Sequence, residues 1–129
     1  MTGEQLALRA EIFRAFAATG ASPPLLDTPD LRALAERHVL VLDAHGRILM
    51  AHPFAAHAEG ARVDADGRTW WGNCAWDGFG IVHALGLQTA TVTAQGIAVH
   101  VDGGVPEDSR AVFDVAVPAA RWWEDIAHT

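Results

Sequence analysis

Short glycine turns constrain this chain more than any other feature. Ala44-His45-Gly46, Ala65-Asp66-Gly67, Gln95-Gly96 and Gly103-Gly104 each separate short runs of apolar or β-branched residues. A turn of that length can join two strands only when they run antiparallel. Val39-Leu40-Val41-Leu42-Asp43 and Arg47-Ile48-Leu49-Met50 therefore read as one hairpin, and Ala61-Arg62-Val63-Asp64 and Arg68-Thr69-Trp70-Trp71 as a second. Thr89-Ala90-Thr91-Val92-Thr93, Ile97-Ala98-Val99-His100-Val101 and Ala111-Val112-Phe113-Asp114-Val115-Ala116-Val117 alternate or are β-branched, which predicts further strands of an antiparallel sheet. Pro118 ends the last of them, and a closing helix carrying Trp122, Trp123 and Ile126 is expected over residues 119–127.

Ahead of the turns the periodicity is helical. Leu8, Ile12, Ala15 and Phe16 form one stripe of residues 4–18, with Arg9 and Glu11 off it, which predicts an amphipathic helix closed by Gly20. Ala21-Ser22-Pro23-Pro24 breaks the chain. Thr28-Pro29 then offers an N-cap and a first-turn proline for a helix through Arg37, with Leu31, Leu34 and Ala35 inward. Helix, helix, hairpin is a winged-helix outline, over residues 1–54. The small, polar stretch from Ala55 to Gly60 is expected to cross to a second subdomain, 55–129.

The second helix sets Arg32 and Arg37 against Asp30 and Glu36, and the whole chain carries a net charge of −7 with nine arginines and no lysine. No basic patch is visible, so neither nucleic acid nor an anionic membrane is expected as a partner. No apolar stretch has the roughly 20 residues that a membrane span needs. One cysteine cannot close an internal disulfide, and Met1-Thr2-Gly3-Glu4-Gln5 lacks the basic start of a secretory signal, so a cytoplasmic location is expected. With 50% hydrophobic residues in 129, the chain can build a core of its own.

The second hairpin leads into Trp70-Trp71-Gly72-Asn73-Cys74-Ala75-Trp76-Asp77, which holds the only cysteine, three of the five tryptophans and a carboxylate three residues past the thiol. Asn73 is a good N-cap, and Phe79, Ile81, Val82, Ala84 and Leu85, ending at Gly86, read as the helix it starts. Cys74 is then expected in the first turn, where unpaired N–H groups favour thiolate and lower the thiol pKa. Asp77 projects from the same face, so sulfur and carboxylate can meet at one substrate atom. Spacing alone also allows Cys74 to be a small buried hydrophobe and Asp77 a solvent-facing helix residue. The fold class expected is α+β: winged-helix-like helices and hairpin, then a small antiparallel sheet with a central Cys-bearing helix.

Trp-Trp-Gly-Asn-Cys-Ala-Trp-Asp-Gly-Phe-Gly-Ile, from Trp70 to Ile81, resembles the active-site segment of the organomercurial (alkylmercury) lyase family. Ala51-His52-Pro53-Phe54 upstream and Val117-Pro118-Ala119-Ala120-Arg121-Trp122-Trp123-Glu124-Asp125-Ile126 downstream are similar to blocks in the same order in that family. The resemblance implies cleavage of a carbon–mercury bond by protonolysis, giving a hydrocarbon and Hg²⁺. Carried over residue by residue, Cys74 would be the mercury-binding thiolate and Asp77 the general acid and second mercury ligand, in a pocket walled by Trp70, Trp71 and Trp76. No cofactor is implied, mercury being substrate and product and small thiols co-reactants. The partners implied are a small organometal substrate and a downstream mercury-accepting thiol protein.

The family's pattern places a second essential cysteine on a strand shortly after the block resembling Arg121 to Ile126, and this sequence has none. The expectation is either a shortened form of a longer lyase-like protein or a relative that keeps the fold and one thiol. A missing strand would expose a sheet edge and favour a homodimer. Two other readings stand beside the lyase: a non-catalytic protein that captures a thiophilic metal or organometal at Cys74, and a winged-helix transcriptional regulator. Among the histidines, His52 is expected to position its loop rather than bind metal, and His83 falls at the far end of the cysteine's helix. No His-x-x-x-His or Cys-x-x-Cys pair is present, so a structural zinc site is not expected. The Trp122-Trp123 pair is read as core.

Overall fold

The computed structural model describes residues 1–107, 110–112, 114, 115 and 117–128. The first helix, α1 (Gly3–Thr19), starts from a capping box in which Thr2 and Gln5 bond reciprocally, and Gly20 ends it in the left-handed region at φ 71°. Helix α2 (Pro29–Glu36) opens as expected, with the Thr28 hydroxyl accepting from the Leu31 N–H. Ile12 and Phe16 of α1 and Leu31 and Leu34 of α2 are buried.

The strands form two antiparallel sheets among the described residues, the first built on the expected N-terminal hairpin and the second being the sheet expected after it. In the first, β1 (Val41–Leu42), β2 (Ile48–Ala51) and β3 (Phe54–Ala55) lie in chain order. The chain turns back at His52-Pro53, so that Met50 and Ala51 pair with Ala55 and Phe54; of the stretch expected as a loop, Ala55 alone joins a strand, and residues 56–60 lie in neither helix nor strand. The second sheet has the order β5-β4-β6-β7-β8, from β4 (Ala61–Ala65), β5 (Arg68–Gly72), β6 (Ala90–Ala94), β7 (Ile97–Asp102) and β8 (Val105–Pro106). Helix α3 (Ala75–Ala84) carries the chain from β5 past β4 to β6, and it packs on all three.

Two expectations near the end of the chain are corrected. Ala111, Val112, Asp114 and Val115 form no strand, while Phe113 and Ala116 lie outside the described residues. The edge of β7 at Val101 and Asp102 is taken by β8, whose Pro106 has no N–H to extend the ladder. Val112 is 88% exposed. The closing helix is a pair of 3-10 turns, Ala119–Glu124 and Ile126–His128, broken at Asp125 (φ −156°, ψ 73°). The first of these turns buries none of its residues, Trp123 included, so it lacks the packed face that sustains an α-helix.

One apolar cluster joins the helices to both sheets, running from Ile12, Phe16 and Leu34 through Phe54 to Val63, Trp70, Ile81 and Val92. The Phe16 and Phe54 rings stack at 5.5 Å and fasten α1 to β3. Among the described residues no helix is long and apolar enough to cross a membrane.

Candidate functional site

Cys74 sits where β5 ends and α3 begins, and the local packing there is unusually close. A Cβ on Gly72 would lie 2.8 Å from Asp77 Cβ, and one on Gly78 would lie 2.8 Å from Val92 Cγ1 and 3.0 Å from Ala61 Cβ. Only glycine at those positions lets the first turn of α3 press on the strands this tightly. The N-cap is Cys74 itself, in extended backbone (φ −144°, ψ 176°), and not Asn73 as expected. Asn73 is engaged elsewhere: its Nδ2 donates to the Ile126 carbonyl at 3.1 Å and its Oδ1 faces His57 Nε2 at 3.2 Å. Tertiary partners outbid the local cap.

The thiol and the carboxylate meet. Cys74 Sγ donates to Asp77 Oδ2 at 3.6 Å, while Asp77 Oδ1 lies 3.8 Å from His52 Nδ1 on the turn between β2 and β3. Each oxygen of the Asp77 carboxylate thus addresses a different group. The Asp77 side chain is only 15% exposed, and the opposite nitrogen of the histidine, Nε2, is buried without a hydrogen-bond partner. The Trp123 ring stands edge-on to His52 at 5.8 Å and stacks on His38 at 3.9 Å.

The thiol pKa is raised, against the expectation from helix position. Burial is the largest cause, and the Asp77 carboxylate adds to it by repelling a thiolate and by accepting the S–H hydrogen bond. The N–H groups of Asp77 and Trp76 do pull the value down, as a helix start should, but they are outweighed. The resting sulfur is a protonated thiol whose proton points at a carboxylate.

The tryptophans of the expected pocket lie apart from one another. Trp70 is buried against α1, its indole donating to the Ala17 carbonyl at 3.0 Å, with Arg68 over its ring. Trp71, opposite Arg62 on the sheet, is half-buried, and Trp76 is 67% exposed. Alternation along β5 sends Trp70 and Trp71 to opposite faces, so they cannot wall one pocket from the same side. Trp123, expected in the core, is instead 43% exposed and stands beside His52 of the cluster. Its position in the downstream resembling block, like that of His52 in the upstream one, was the available signal. His83 stands at the far end of α3, as expected. Among the described residues, no three His, Cys, Asp or Glu side chains are grouped to hold a metal ion.

Comparison with known proteins adds one finding. The family model described as MerB, alkylmercury lyase, matches residues 54–129, a span that contains Asn73, Cys74, Asp77 and Trp123. No curated protein and no solved structure matches.

Proposed function

Since that match covers more than half of its 129 residues, the chain belongs to the alkylmercury lyase family, and we propose that it binds an organomercurial at Cys74 and cleaves the carbon–mercury bond by protonolysis. The observation that carries this reading is the 3.6 Å contact between Cys74 Sγ and Asp77 Oδ2. A soft sulfur donor selects thiophilic metals, and a carboxylate beside it can receive and return a proton.

The steps balance without an oxidant or reductant. Mercury of the substrate R–Hg–X bonds to Cys74 sulfur as X leaves, and the thiol proton passes to Asp77. The protonated carboxyl then delivers that proton to the carbon of R. The carbon–mercury electron pair becomes the new carbon–hydrogen bond, and R–H departs. Hg²⁺ remains on the Cys74 thiolate with the freed Asp77 carboxylate beside it. Small thiols from solution supply a second soft donor to the metal, carry the ion away and return a proton to the sulfur. In this scheme a thiol held protonated by burial is an asset, because it stores the proton that the carbon finally receives. His52 orients the carboxylate through its other oxygen.

The presence of a single cysteine favours a second reading, capture without cleavage. Methane release from methylmercury, followed in the headspace with excess small thiol, separates the two. The parent protein is expected to release methane. Asp77→Ala is expected to keep one mercury per chain and to lose roughly 10²–10⁴-fold in release rate, the usual scale for removing a general acid. Cys74→Ser is expected to bind none. One mercurial bound by the folded parent with no methane under any thiol concentration makes the protein a binder.

A further inference from the structure

The 3-10 segment is fastened on both sides of the Cys74–Asp77 pair. On one side, Trp123 stacks on His38 at 3.9 Å and meets His52 edge-on at 5.8 Å, and His52 in turn faces Asp77 at 3.8 Å. On the other side, the Ile126 carbonyl accepts from Asn73, the residue before Cys74. A directed chain of hydrogen bonds backs this second fastening. The Glu59 N–H donates to His57 Nδ1 at 3.4 Å, which leaves Nε2 as the donor to Asn73 Oδ1 at 3.2 Å. Residues 123–126 therefore reach from His52, which faces Asp77, to Asn73, the residue before Cys74. The turn Ala119–Glu124 buries no residue, and Trp123 is 43% exposed. A surface turn that buries none of its residues opens at a smaller free-energy cost than the core.

We infer that this segment roofs Cys74 and that Trp123 makes the roof a size filter. A thiophilic reagent bearing a methyl- or ethyl-sized group reaches the sulfur with the roof in place, whereas an aryl-sized group must first displace the Trp123 ring. This deepens the lyase reading, and rests on it, by naming small alkylmercurials over arylmercurials as substrates.

The test needs no turnover, so it stands or falls separately from methane release. Cys74 is the only thiol, and the adduct mass reports that residue alone. The full chain is treated at one pH with iodoacetamide and, separately, with N-(1-pyrenyl)maleimide. Trp123→Ala is expected to speed the pyrenyl reaction by at least ~10-fold and the iodoacetamide reaction by less than ~2-fold, as local opening without global unfolding requires. Trp123→Phe is expected to retain the parent's preference, and Asn73→Ala, which frees the opposite fastening, to move it in the same direction as Trp123→Ala. An unchanged pyrenyl rate in both alanine variants overturns the inference, and so does equal acceleration of both reagents. A positive result beside absent methane leaves the filter in place and removes the lyase reading.

Discussion

At the scale of the residue, Cys74 is governed by two opposed effects, and burial wins over the helix start. Its alkylation by a small reagent is therefore expected to show a midpoint above that of a free cysteine in the same buffer. A midpoint below it would mean that the N–H groups dominate. The same shift has a consequence for stability. The folded state holds the proton more tightly than the unfolded state, so both are equally protonated at neutral pH and the unfolded chain ionises first as pH rises. Stability is expected to fall as pH climbs from the ordinary thiol value through the raised one, and Cys74→Ser is expected to fall less over the same window. Thermal melts of the two proteins across that range measure the difference.

At the scale of the element, α3 is set by glycine contacts rather than by its own propensity. Replacing Gly78 by alanine gains about 1 kcal/mol of helix propensity. It also drives a methyl to within 2.8 Å of Val92 and 3.0 Å of Ala61. Overpacking of that kind costs about 1–3 kcal/mol, so a net loss of roughly 1 kcal/mol is expected in chemical denaturation. Asp77 precedes Gly78 on the same turn, and a helix lifted from the sheet moves the carboxylate with it. Gly3→Ala is the control, since nothing lies within 4 Å of its added methyl. A loss equal to that of Gly78→Ala would mean that close approach is not the cause.

At the scale of the whole molecule, the helices and both sheets share one core, and the site hangs on it. Phe16 is wholly buried and stacks on Phe54 of β3, the strand that follows the His52 turn. Phe16→Ala is expected to cost about 3–5 kcal/mol, a large part of the roughly 5–15 kcal/mol that holds a domain of this size together. Urea titration is expected to show that loss, whereas Leu26→Ala, at a side chain 85% exposed, should change stability by less than ~0.5 kcal/mol. The Phe16 variant is further expected to make Cys74 react faster with small and bulky reagents alike, unlike the change expected at Trp123.

What the amino-acid sequence determined by itself is what neighbours along the chain decide. Gly20 and Gly67 adopt positive φ at 71° and 74°, Thr28-Pro29 starts α2, and Asp77 falls one turn past Cys74 whatever surrounds them. Those features carried α1, α2, both hairpins, β6, β7 and the meeting of thiol and carboxylate. Tertiary structure decided everything that depends on what lies across the chain. Asn73 forsakes the cap for Ile126, β8 takes the edge expected for residues 111–117, and the chain at Phe54 turns back to make β3. The sign of the thiol shift belongs with these. Helix position could be read from spacing, but burial is the sum of every element packed around the sulfur, and no window of sequence contains it.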